Sequence, residues 1–428
     1  MIAMDQRRAR DARIDLYKAL LIVAMIFSHT IGFFGNRDIS LLLDLKRIVE
    51  LLVFPGLLLC FGYSSQIAYF SVRPLNYQRI LRAALRLLVA FYISAIGYVL
   101  FLEPSTLSGT EFGRILTLSR IPFVSEFMLN FPLTLLVATV FIRPISWVLE
   151  KGTRLLIVIG LLLGTALFPY ALVTSPQLGL LIGTPRTVFY SFPVVQYFPF
   201  FLIGLFLARH QIRYSRWLMA ASLISISLGL ILFQIIGYPL RFPPALGWIG
   251  ISIVFAISGY FLVQYLPIRS KLGQLFIPIG VNSLNFFLLS NLFLFALRSR
   301  FPTLSAGIAL CALIALTIIG VIYFITTTSQ RTVRSAPEET RAVETASRLA
   351  LSPAQEQILH TLNNGAVLKA ERDLDGRKDF VLYTPDGSSR FIARDVLEPL
   401  FEHSLIDSNK KFPAATFWLT EAGRARLA

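Results

Sequence analysis

Cysteine and histidine are scarce in this chain, with 2 and 4 in 428 residues. That rules out a disulfide framework and any zinc-spaced Cys/His set. Cys60 and Cys311 both fall in apolar runs and read as small core hydrophobes. Charge is also thin, at 15% of residues, too little for an ordinary soluble surface. There is no Walker loop, no dinucleotide fingerprint, no Gly-x-Ser-x-Gly elbow, no solenoid repeat and no low-complexity tract of consequence.

What is abundant is apolar sequence: 55% hydrophobic residues, 36 phenylalanines and a mean hydropathy of +0.67. Repeated runs of about 20 apolar residues, one bilayer crossing each, predict an all-α polytopic membrane bundle. The pattern places about ten spans near 16–34, 48–70, 80–102, 121–142, 155–173, 187–208, 217–238, 247–266, 274–297 and 304–325. The basic N-terminus lacks a small-residue cleavage site after Phe33-Phe34, so the first run is read as a retained helix.

The net charge of +16 lies entirely before Thr326, where 26 Lys and Arg face 10 Asp and Glu. Sorted by alternate loops, the side of the N-terminus holds 17 of the basic residues and the other side 9. The positive-inside rule then sets both termini in the cytoplasm, as expected in a bacterial inner membrane. A basic excess of this kind is a topology signal, and nucleic acid is not the expected partner. Membrane lipids are.

Residues 326–351 read as a linker, and 352–428 as a small α+β soluble domain of winged-helix-like pattern. Ser352-Pro353-Ala354-Gln355 opens a helix ending near Asn363-Asn364-Gly365. Strands are expected at 366–371, 380–384 and 416–419, a turn at Pro385-Asp386-Gly387 and an amphipathic helix at 393–403. The closing Leu-Thr-x-x-Gly-Arg-x-x-Leu resembles the end of a winged helix. This domain is electrically neutral, although Arg390, Arg394, Lys410 and Lys411 offer it one basic face. It is a candidate for protein docking or self-association.

Ionisable groups at membrane depth are costly and mark sites. His29 is the only histidine inside a predicted span, 13 residues beyond Leu16 and so about 20 Å into the bilayer. Imidazole is the side chain best suited to take a proton from an alcohol near neutral pH. Glu126 is the only carboxylate clearly within a span, a candidate orienting partner for His29 or a proton-relay member. Asp15 and Lys18 form an i, i+3 pair near the cytoplasmic surface, close to three turns below His29. Arg82 and Arg86 share one face of the third span and suit the phosphates of lipid or of a nucleotide-bearing donor. Asn282 and Ser283, with Asn285, make a polar cluster in the ninth span that lines a cavity or bonds between helices. No metal ligand set is expected.

The run Arg13-Ile14-Asp15-Leu16-Tyr17-Lys18, then apolar residues to His29, resembles the first helix of the membrane acyltransferase-3 superfamily, which includes OpgC-type glucan succinyltransferases. That family has an arginine, ten residues, then histidine; here Lys18 stands in the arginine's place. Phe61-Gly62-Tyr63-Ser64-Ser65 looks like the end of the family's second helix, with Phe61-Gly62 replacing Ser-Gly. Gln196-Tyr197-Phe198-Pro199-Phe200-Phe201-Leu202-Ile203-Gly204 is similar to its aromatic-Gly span, and Ile279-Gly280-Val281-Asn282-Ser283-Leu284 to its Gly-x-x-Ser-Leu helix. The resemblance covers most of 13–325, and the winged domain is not part of it.

It implies an integral membrane O-acyltransferase. An acyl group such as succinyl or acetyl would pass from a cytoplasmic acyl-CoA to a hydroxyl of a cell-envelope glycan or lipid-linked sugar. His29 would be the general base or part of an acyl relay, and Lys18 would sit near the donor. Two other readings compete: a glycan-precursor transporter or flippase, and a membrane-tethered regulator with the C-terminal domain as output.

Overall fold

The computed structural model describes residues 11–428 except 72–73, 123, 184–191, 213–214, 238, 240, 242–243, 269, 336–350, 373–377, 404, 409–414, 421–423, 425 and 428. Outside the described residues lie Arg7, Arg8, Arg10, Arg73, Arg186, Arg213 and Arg269 of the charge census, most of the expected linker, Lys410 and Lys411, and 421–423 of the closing motif. The chain divides into two compact units, 1–326 and 327–428.

The first unit is a multi-pass helical membrane bundle. Its first helices are α1 (Ala12–Phe34), α2 (Ser40–Ser65), α3 (Tyr77–Leu102) and the short α4 (Gly109–Leu116). Then come α5 (Glu126–Val140), α6 (Ile142–Val148), α7 (Gly152–Gly164), α8 (Pro176–Ile182) and α9 (Val194–Arg209). The last are α10 (Arg216–Ile236), α11 (Leu246–Val263), α12 (Lys271–Val281), α13 (Ser283–Arg300) and α14 (Ile308–Ser335). Among the described residues, six helices are long and apolar enough to cross a membrane, or eight if each bent pair counts as one span.

Each of the ten expected segments overlaps a helix, yet they are not ten equal spans. The segment 274–297 holds a bent pair, broken by 82° between α12 and α13, and 121–142 holds α5 and ends where an 85° break leads into α6. The segments 155–173 and 187–208 correspond to the shorter apolar helices Gly152–Leu167 and Val194–Arg209. Hydropathy sees composition over a window and is blind to a break inside it.

Exposure is inverted relative to a soluble protein. Leu81, Leu85, Val89 and Ile93 form an exposed stripe at helical spacing on α3, and Ile224, Leu228, Ile231 and Ile235 do the same on α10. Such faces fit lipid tails. Helix α1 lies inside the bundle, against α2, α11, α12 and α13, with Ile22, Ile26 and Ala19 fully buried.

Two crossings are close enough to bring backbones into contact, and glycine permits both. A Cβ on Gly62 would stand 2.1 Å from the Phe201 carbonyl oxygen, and one on Gly204 2.0 Å from that of Leu59, so α2 and α9 meet at this pair. At Gly280 a Cβ would stand 1.8 Å from the Asp15 carbonyl oxygen, which joins α12 to α1. All three glycines belong to the motifs quoted above. After α2 the chain makes one π-helical stretch, Gln66–Phe70.

The second unit has helices α15 (Pro353–Asn363) and α16 (Arg394–Glu402) with strands β1 (Val367–Arg372), β2 (Lys378–Tyr383), β3 (Ser389–Ile392), β4 (Ile406–Ser408) and β5 (Ala415–Leu419). The strands form one antiparallel sheet in the order β3-β2-β1-β5-β4. Helix α15 starts with a capping box. Gln355 N–H donates to Ser352 Oγ at 3.3 Å, and Ser352 N–H donates to Gln355 Oε1 at 2.9 Å.

The Pro385-Asp386-Gly387 turn joins β2 to β3, with Gly387 at φ +85°. The Asp386 carboxylate accepts from the Thr384 hydroxyl and from the N–H and hydroxyl of Ser388, which hold its pKa down to about 2. Leu359, Leu368, Leu397, Leu400, Leu405 and Phe417 fill the core. The three expected strands and both helices are present. Strands β3 and β4 are additional to the three expected, so the sheet has five strands.

Candidate functional site

His29 sits in the C-terminal half of α1, its ring edge-on to Phe127 at 6.0 Å between centroids. Its Nδ1 is buried and has no hydrogen-bond partner among the described residues. Glu126 is 5% exposed, and its Oε2 is likewise buried without a partner among the described residues. The two side chains line one cavity of about 120 Å³ together with Ser28, Lys46, Glu50 and Arg241, room for several waters. No hydrogen bond joins them among the described residues. Glu126 is the first residue of α5 rather than an interior one, because 121–122 and 124–125 are not helical.

Each unpaired buried polar atom costs about 1–3 kcal/mol. Two such atoms line this one hollow, which makes it the candidate site.

A second, smaller hollow of about 50 Å³ continues from this cavity past His29, lined by Met25, Val53, Phe54 and Leu57. Leu57 also lines a third cavity, of about 120 Å³, which holds Lys18, Ser64, Met128 and Ser283. Lys18 and His29, eleven residues apart on one helix, therefore stand at opposite ends of a string of adjoining hollows. Between them is an aromatic layer in which Phe127 packs on Phe287 at 5.4 Å and on Phe54 at 6.3 Å.

Lys18 Nζ donates to Asp15 Oδ1 at 2.9 Å, the expected i, i+3 pair, with Asp15 buried to 1%. Ser283 begins α13, just after the break, and so reaches the Lys18 cavity. Asn282 turns back instead, donating its Nδ2 to the Pro278 carbonyl at 3.0 Å. Arg82 and Arg86 are exposed on α3 and line none of these cavities. Arg82 Nε donates to the Gln78 carbonyl at 3.3 Å. The structure does not bring this pair to the site.

Several site residues escaped the sequence reading. Glu50 bonds Lys46 Nζ at 2.6 Å and Arg241 Nη1 at 3.0 Å, facing His29 across the cavity. The i, i+4 spacing of Lys46 and Glu50 was a legible signal; Arg241, about 190 residues further on, was not. Behind the histidine, Asn291 Nδ2 donates to Ser94 Oγ at 3.2 Å, and Ser94 and Ser125 share a hydroxyl bond at 2.8 Å. This buried chain ends beside Glu126. Among the described residues no group of three or more His, Cys, Asp or Glu side chains is placed to hold a metal.

Residues 10–225 match the family described as heparan-alpha-glucosaminide N-acetyltransferase, catalytic. The matched stretch includes Asp15, Lys18, His29, Glu50 and Glu126. No curated protein and no solved structure matches the chain.

Proposed function

Since the chain belongs to the heparan-alpha-glucosaminide N-acetyltransferase catalytic family, we propose that it moves a short acyl group, acetyl first, from a cytoplasmic acyl-CoA to a cell-envelope glycan. The observation that carries this reading is His29 Nδ1, without a hydrogen-bond partner among the described residues, at the junction of two hollows, one holding Glu126 and the other leading to Lys18. Both termini are cytoplasmic in this reading and the membrane is the bacterial inner one. The donor then enters at Lys18 and the acceptor from the opposite face. An OpgC-like succinyl transfer is the neighbouring possibility within the same chemistry.

His29 acts as general base. It takes the proton from the acceptor nucleophile as that atom bonds to the thioester carbonyl carbon. The carbonyl π pair moves onto oxygen, then returns as the C–S bond breaks. The departing thiolate takes the proton from the imidazolium, so atoms and charge balance. Glu126 steadies the imidazolium from the shared cavity. Lys18, paired to Asp15, supplies positive charge to the donor's arm, without the planar fork that arginine would give. Ser283 lines the same passage. Arg82 and Arg86, exposed on α3, meet lipid headgroups. The 352–428 unit is a docking or self-association module of winged-helix-like sequence.

The nucleophile is a sugar amine, by likeness to the family's description, or a sugar hydroxyl, by likeness of the first-helix motif. Envelope glycans from cells with the wild-type chain, a deletion and His29→Ala are compared before and after mild alkali. Acyl groups present only with the wild type support the enzyme. Loss of those groups in alkali means an ester, and survival means an amide. Unchanged acylation in both mutants sinks the reading, and altered glycan export with normal decoration points to a transporter.

A further inference from the structure

The His29 cavity holds a cation for which the acid–base scheme has no use. Arg241 reaches it from the segment between α10 and α11, beyond the matched residues 10–225. It lines both hollows that His29 lines, whereas Lys46 lines only the one farther from Leu57. Its position is fixed by a bond from Nη1 to Glu50 Oε2 at 3.0 Å and by ring faces on two sides. The guanidinium carbon is 4.8 Å from the Phe192 centroid and 5.8 Å from that of Trp248. Glu50 gives one oxygen to Lys46 and the other to Arg241.

Acyl transfer needs such a charge at one moment. When the nucleophile adds to the thioester carbonyl carbon, the π pair sits on oxygen as an oxyanion until the C–S bond breaks. In a hollow with Phe54, Phe127 and Phe192 among its walls, a fixed donor stabilises that charge without the reorganisation that water would need. A guanidinium is weakly hydrated and presents its donors in a fixed fork, which suits it to a developing negative charge. We propose that Arg241 is the oxyanion-stabilising catalytic residue of this acyl transfer, and that Glu50 is a positioning residue that latches it. The proposal rests on the reading of the His29 cavity as the transfer site.

The test uses the purified full-length protein with radiolabelled acetyl-CoA and the envelope glycan fraction of the deletion strain as acceptor. Arg241→Ala is expected to lower kcat about 10²- to 10³-fold, with KM for the glycan within about twofold. Millimolar guanidinium should restore part of that loss. Glu50→Gln should lower kcat less, again with KM kept, and Glu50→Asp should recover part of it. If Arg241→Ala disturbs folding, Arg241→Lys keeps the charge beside Glu50 and is expected to lose about tenfold in kcat. Unchanged kcat with raised KM in the folded Arg241 variants means acceptor anchoring and overturns the proposal; so does full activity. Full activity in His29→Ala would instead overturn the site reading, which Arg241→Ala alone cannot do.

Discussion

The Asp15 carbonyl and Gly280 are in backbone contact. A Cβ at position 280 would lie 1.8 Å from the Asp15 oxygen and 2.6 Å from its carbonyl carbon. This contact sets α1 against α12 at the level of the Asp15–Lys18 pair, and the break into α13 that carries Ser283 follows two residues later. The Lys18 cavity therefore depends on a residue with no side chain.

Gly280→Ala should push the two helices apart. Overpacking of this kind costs about 1–3 kcal/mol, and here the obstructing atom is backbone, which cannot swing aside. A lowered melting temperature in detergent, together with loss of transfer, is expected. A fully stable and active Gly280→Ala would refute the contact.

The Lys18–Asp15 bond is nearly out of solvent, with side chains 13% and 2% exposed. Removing one partner of a buried pair costs about 3–5 kcal/mol, whereas removing both is far milder. Lys18→Ala should therefore destabilise more than Lys18→Ala with Asp15→Ala, while both abolish donor use. Lys18→Arg should keep fold and activity. Thermal unfolding of the four proteins, with acetyl-CoA binding, gives the comparison.

Glu126 shares the cavity of His29 without bonding to it. Glu126→Gln is expected to lower kcat about 10²-fold, the lower end for a group that handles protons, with the melting temperature unchanged. A change in acceptor KM alone would assign it to binding instead.

Every cavity residue named above lies between Lys18 and Phe287. Deleting 352–428 should leave transfer intact in membranes. Ser352→Ala, which breaks the capping box, should cost the second unit about 1 kcal/mol without touching kcat. Loss of transfer on deletion would make that unit a partner in catalysis rather than an appendage.

How much of this was legible beforehand follows from the range of each interaction. Apolar runs, the Asp15–Lys18 spacing, the Ser352 cap and the 385–387 turn are local, acting over one to four residues, and the sequence carries them directly. His29 was legible because an imidazole amid apolar neighbours is expensive wherever the helix points. Its membership in a family of membrane acyltransferases could likewise be read from short motifs.

Other features are properties of the assembled bundle. Hydropathy could not distinguish a straight span from one broken by 82° between α12 and α13. It could not say that Arg82 and Arg86 face outward, because a helix face acquires a meaning only from its neighbours. Nor could it bring Arg241 to Glu50 and His29, since that proximity depends on α2, α11 and the intervening segment folding around α1. The sequence alone determined that one histidine would stand at membrane depth. Tertiary packing, made possible by glycine at the tight crossings, decided that it faces a hollow, and which charges it meets there.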